Sequence, residues 1–370
     1  MQVKYSYLEE QFANPQPILA EIAQLVRAAD YTLGKPVAEF EASFAKVIGT
    51  RYAVGVNSGT DALFLALKAV GVGVGDEVIT VPNTFIATVG AIVAAGAKPV
   101  FVDVLDDYTI NPALIEQALT PKTKALLPVH YAGHPADMPA ILAIAAKHGL
   151  PVVEDACQAI SAAIDGRCAG SYGIAGGFSL HPLKNLNVWG DGGVIVTDSE
   201  EIRDTLVLLR NHGLKNRDEI QIFGYNSRLD SLQAVVGNYL IKDIEKITAQ
   251  RIAYANLIDA GLADLQDVIT IPVRQPNRRY VYHLYMLMVK DRDNLLAYLI
   301  KNGVEAKVHY PIPLHLQEAA RPLGYKAGDF PVAEAQAKTI ITLPVHQHLR
   351  REQIDYMIEM IHQFYRGTRR

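Results

Sequence analysis

Long apolar runs, cysteines and an excess of either charge are all scarce in this sequence of 370 residues. No stretch of about 18 apolar residues occurs, so no membrane-spanning helix is expected. The opening residues, MQVKYSYLEEQF, lack the apolar core of a secretion signal, and a cytoplasmic protein is expected. Only two cysteines are present, Cys157 and Cys168, at a spacing that fits no metal site; reduced thiols and no metal centre are expected. The formal net charge of −4 gives no reason to look for a nucleic-acid or membrane-surface partner. Linkers, repeats and low-complexity segments are also missing. Half the residues are apolar and 20% are charged, an ordinary globular balance. The length favours one large domain plus a smaller one.

From Tyr52 onward, short apolar strands alternate with helices. Strands are expected at Tyr52–Val56, Glu77–Val81, Pro99–Val104, Ala125–Val129, Pro151–Asp155, Gly177–Leu180 and Gly193–Thr197. Helices are expected at 37–48, where Phe40, Phe44, Val47 and Ile48 share a face, and at Asp61–Val70, Phe85–Ala95 and Asp137–His148. Continuous apolar strands alternating with helices argue for an α/β fold, a large mainly parallel sheet with helices on both faces. The tail reads as long helices over 229–262, strands at His283–Val289 and Val304–Val308, a helix over 291–302 and a terminal amphipathic helix. That is a smaller α+β domain, so 1–240 is expected as the large unit and 241–370 as the small one. The basic end, RGTRR, is expected as a solvated terminus.

In such sheets ligands bind beyond the carboxyl ends of the strands. Three segments fall on that rim. In VGVNSGTD (54–61) a strand runs into a helix start through small residues, which suits a phosphate or, more simply, a helix capped by Ser58 or Thr60. In PVVEDACQ (151–158) two acids close a strand; one carboxylate could hold a cationic nitrogen, or serve as a helix N-terminal acid. In GFSLHPLKN (177–185) Lys184 follows a strand among uncharged residues. It is either a surface lysine or, in a dry pocket, an amine of lowered pKa able to form an imine. Its company on the same rim as Asp155 favours the second.

These words, with YTLGKPVAEFE, VPNTFIATVGAI, PVHYAGHPADM, GYNSRLDSLQA and VHYPIPLHLQ, run in one order from about residue 31 to the C-terminal helix. In that order the sequence resembles the DegT/DnrJ-type sugar aminotransferases, a branch of the fold-type-I pyridoxal-phosphate enzymes. The resemblance implies pyridoxal 5'-phosphate as cofactor and Lys184 as the catalytic Schiff-base lysine and proton carrier. It gives Asp155 to the pyridinium nitrogen, Gln158 to the phenolic oxygen, and Gly59, Thr60 and Ser179 to the phosphate. Phe85 would stack on the ring, or else pack in the core. Asn226 would reach the phosphate of a neighbouring subunit, which implies a homodimer with shared active sites. Glutamate or glutamine would donate nitrogen to a keto-sugar, expected to be nucleotide-linked, in amino-sugar and polysaccharide biosynthesis.

Some positions depart from the commonest pattern. His181 stands where relatives carry an aromatic residue, Asn187-Val188-Trp189 where they carry small residues, and His134 where they carry glutamine. Substrate contact or plain packing is open for His181 and Trp189, and substrate contact or a structural loop for His309, Tyr310 and His315. Two other readings share the scaffold. One is a pyridoxal-phosphate sugar dehydratase, one branch of which replaces the lysine by histidine; the other is a non-catalytic regulator.

Overall fold

A computed structural model describes residues 1–368; the last two arginines of the RGTRR end lie outside the described residues. Seven strands form the central layer, in the spatial order Tyr52–Val56, Gly193–Thr197, Ala175–Ser179, Val153–Asp155, Thr123–Leu126, Glu77–Thr80, Lys98–Phe101. The first four and the last three are joined by parallel bridges, Leu126 to Val152 and Val129 to Asp155. Only Gly193–Thr197 runs against its neighbours; the other contacts across the layer are parallel. The layer is therefore mainly parallel, and six strands end on one rim.

Burial on both faces explains the unbroken apolar runs. Val194 and Val196 enter one core with Phe40, Phe44 and Phe178, whereas Ile195 between them enters the core under helix Gly59–Ala69. Val78 and Ile79 divide in the same way. Successive side chains of these inner strands thus enter opposite apolar layers by the period of two. Helix Lys35–Ile48 covers one face and helix Gly59–Ala69 the other.

The C-terminal part builds a three-stranded antiparallel sheet, Ile269–Thr270, Tyr285–Val289 and Ile340–Leu343. Helices Ile244–Gly261, Arg292–Lys301 and Arg351–Thr368 accompany it, and its core includes Val3 from the other end of the chain. The strand expected at Val304–Val308 is not formed. Val304 makes one bridge to Val3 and Lys307 one to Thr342, so the segment is divided between two neighbours instead of pairing along one. A small ribbon of Ala163–Ile164, Arg167–Cys168 and Arg278–Arg279, too short to carry a pattern, ties the two parts together.

Candidate active site

Three strand ends meet at the rim. Asp155 ends one strand and Ser179 its parallel neighbour. After Tyr52–Val56 the chain turns at Asn57 into helix Gly59–Ala69, whose first turn is closed by Ser58 Oγ accepting from the Asp61 amide at 3.1 Å. The first amides of a helix have no acceptor inside it. Gly59 and Thr60, at that start, line a cavity of about 340 Å³ together with Asp155, Gln158, Ser179 and Lys184. That volume is in the usual range of a small-molecule site. No side chain larger than glycine fits at 59: a Cβ there would lie 2.5 Å from Ser179 Cβ.

Asp155 is buried. Oδ2 accepts from the Thr88 hydroxyl at 2.7 Å and Oδ1 from the Cys157 amide at 3.1 Å. Thr88 is in turn bonded to Thr84 at 2.8 Å. Two fixed donors hold the carboxylate at one orientation and leave acceptor capacity toward the cavity. Gln158 is set as firmly: Oε1 accepts from the Ala132 amide at 2.6 Å, so its NH₂ faces the other way as a donor. Lys184 is half-buried, and its carbonyl accepts from the Tyr7 hydroxyl at 2.8 Å. Desolvation lowers its amine below the ordinary lysine range, with the Asp155 charge opposing. The Cys157 thiol is pushed well up by burial and then by Asp155.

The opposite wall comes from the C-terminal part. His309 Nδ1 meets the Thr342 hydroxyl at 2.9 Å, and its carbonyl accepts from Tyr131 at 2.6 Å. Burial, then Lys307 and Lys184, hold His309 down to about 4. Tyr310 is pushed up to about 12 by burial and the Asp155 charge, and a hydrogen bond with the Gln158 side chain draws it partly back. Phe85 is 50% exposed on this cavity with its ring 5.9 Å from that of Tyr310, so it is not a core residue.

Of the residues singled out in the sequence, Gly59, Thr60, Phe85, Asp155, Gln158, Ser179, His181, Lys184, His309 and Tyr310 line this one cavity. Three do not. Asn226 sits in a separate polar pocket with Asn57 and Arg228. Trp189 packs edge-on against Phe12 at 5.5 Å. His315 is buried, bonded to Glu334 at 3.0 Å and packed on Phe330, which takes it away from any cavity ligand of its own chain. His134 is buried at 4.9 Å from Tyr280, and burial holds it down to about 3. Sequence reasoning missed Thr84, Thr88, His283 and Lys307. Only Thr84 and Thr88 left a signal, two hydroxyls four apart at a helix start. Among the described residues no group of three potential metal ligands occurs, and no helix is long and apolar enough to cross a membrane.

The model of the DegT/DnrJ/EryC1/StrS aminotransferase family matches residues 14–362. A pleiotropic regulatory protein of Geobacillus stearothermophilus is 42% identical over 373 residues, 99% of each chain. The dTDP-3-amino-3,4,6-trideoxy-alpha-D-glucose transaminase of Streptomyces venezuelae is 41% identical over 346 residues, 93% of this chain and 91% of that one. The crystal structure of S. venezuelae DesV in complex with a ketimine intermediate superposes with a TM-score of 0.95 at 40% identity, over 98% of both chains. Similarity of this extent, in sequence and in fold, leads to one conclusion: the chain belongs to the DegT/DnrJ/EryC1/StrS aminotransferase family and works with pyridoxal 5'-phosphate.

Proposed function

We propose that this protein moves an amino group from glutamate or glutamine to a keto-sugar carried on a nucleotide, in the making of an amino sugar. The observation that carries the reading is that Lys184 and Asp155 line one cavity together with the helix start at Gly59 and Thr60. The names of relatives support the acceptor class: they include transaminases of dTDP-linked and UDP-linked sugars.

The residues present fit the cofactor. A cradle that only glycine allows at 59, with the Ser179 hydroxyl beside it, suits a phosphate. Asp155, with both oxygens already oriented, is the partner for a ring N–H⁺. Gln158 has a donor left for the phenolic oxygen because its own oxygen is occupied by Ala132. Phe85 offers an exposed ring face. Pyridoxal phosphate, when bound, supplies an aldehyde for imine exchange and a ring that accepts the electron pair left by proton loss. Lys184 Nζ, held unprotonated more readily by desolvation, would take a proton from the nitrogen-bearing carbon of the donor and deliver it to the cofactor's carbon, the relocation that amino transfer requires. Tyr7 fixes the backbone from which that side chain departs by donating to the Lys184 carbonyl.

Lys184→Ala is the decisive variant. It should lose the near-visible absorbance of the bound cofactor and all amino transfer; turnover retained in it would refute the assignment.

The active form in this reading is a homodimer. Support comes from Asn226 lying outside its own chain's cavity and from the side chains near it in the chain, Phe223 at 98% exposure and Ile220 at 63%. Mixing inactive Lys184→Ala with inactive Asn226→Ala should restore about one quarter of wild-type activity, since half the dimers would be mixed and hold one intact site. No recovery on mixing would count against sites shared in this way.

A further inference from the structure

We infer that Lys307 is the cavity's anchor for a carboxylate of the amino donor, a role resting on the aminotransferase reading above. The cavity has two acidic side chains, Asp155 and Asp191, and must accept an amino acid that brings at least one more negative charge. Its basic side chains are Lys184, Lys307, His181, His283 and His309. Lys184 is committed to the cofactor. The three histidines are held toward the neutral form: His181 is lowered by burial and Lys184, His283 falls well below its ordinary value, and His309 drops to about 4. Lys307 is the cation left.

Its geometry suits the task. The Lys307 backbone is fixed by a reciprocal pair of hydrogen bonds with Thr342, at 2.9 and 2.8 Å. Nζ rests 4.5 Å over the Tyr5 ring, which holds the ammonium without neutralising it. Glu305, two residues away, accepts from the Tyr5 amide at 2.8 Å through one oxygen and makes no ion pair with Lys307 among the described residues. A cation placed by an aromatic face and by a backbone pair, with no ion pair of its own among the described residues, is ready for a ligand carboxylate.

The experiment uses the loaded enzyme as wild type, Lys307→Met and Lys307→Arg. Glutarate, a dicarboxylate with no amino group, is titrated by calorimetry, and the donor and acceptor half-reactions are followed separately by cofactor absorbance. Lys307→Met should weaken glutarate binding and raise the donor KM by about ten- to a hundredfold, the loss of one charge-assisted hydrogen bond. The acceptor half-reaction should be unchanged, and Lys307→Arg should recover most of the binding. Unchanged glutarate binding in Lys307→Met would overturn the assignment and point to Arg228, beside Asn226 on the face proposed for the second copy. A defect confined to the acceptor half-reaction would overturn it too, giving Lys307 to the phosphates of the sugar nucleotide. Should the wild type convert with no amino acid at all, the donor reading itself fails, while glutarate binding still decides whether Lys307 holds a carboxylate.

Discussion

The two walls of the cavity are built differently. The wall proposed to meet the cofactor comes from strand ends and a helix start, and it is tied down: Asp155 by a hydroxyl and an amide, Gln158 by a backbone N–H, and the Lys184 backbone by Tyr7. The wall proposed to meet the substrate comes from loop and isolated bridges around 283 and 304–310. There His283 Nδ1 has no hydrogen-bond partner among the described residues, and Lys307 is exposed. Groups that must meet the same cofactor atoms in every turnover sit on rigid elements, whereas groups that choose a substrate sit where a change costs the fold little. A family with many sugars and one chemistry needs that division.

Substitutions on the rigid wall should therefore act on the chemistry, and those on the other wall on substrate binding. The largest effect after Lys184→Ala is expected for Asp155→Asn. Asparagine has one acceptor oxygen, enough for Thr88 or Cys157 but not both, and brings no charge to the ring nitrogen, so kcat should fall by about 10²–10³ with the far-ultraviolet spectrum unchanged. Single-turnover rates would measure it. A defect in donor KM alone, as expected for Lys307→Met, would erase the difference between the walls.

Gly59→Ala should come next. The added Cβ would lie 2.5 Å from Ser179 Cβ, so either the helix start or the end of strand Ala175–Ser179 must shift. A cost of about 1–3 kcal/mol is typical of such overpacking. It should show as weaker cofactor binding in a titration and as a lower melting temperature of the loaded enzyme. Cofactor affinity equal to that of wild type would mean that the phosphate does not use this cradle.

The rigid wall was legible in the sequence, and the other largely was not. Strand ends followed by small or acidic residues fix where Gly59, Asp155, Ser179 and Lys184 emerge, because a parallel sheet sends all its carboxyl ends to one rim. Thr88, the residue that orients Asp155, sits 67 positions earlier, and nothing local links the two. His283 and Lys307 reach the cavity only through the packing of the C-terminal part, which no periodicity encodes. For Trp189 and His315 the sequence left substrate contact open beside packing or a structural loop; the partners they pack on, Phe12 and Glu334, come from elsewhere in the chain. The Val304–Val308 strand failed for a similar reason: a β-like run forms a strand only if one partner pairs along its length, and here two partners share it.

The smallest effect expected is one of stability, and it separates a built site from a chance one. Burial lowers the Lys184 amine in the folded protein, while the unfolded chain keeps the ordinary lysine value. Between those two values unfolding takes up a proton, so the lysine destabilises the cofactor-free protein at lower pH and does so less as pH rises toward the ordinary lysine range. Lys184→Met removes that penalty. The cofactor-free variant should melt above the cofactor-free wild type near neutral pH, and the gap should shrink as pH approaches about 10. Thermal unfolding of both proteins across that range measures it. A gap independent of pH would mean that Lys184 reaches water freely without the cofactor, and that the rigid wall does not desolvate its own amine.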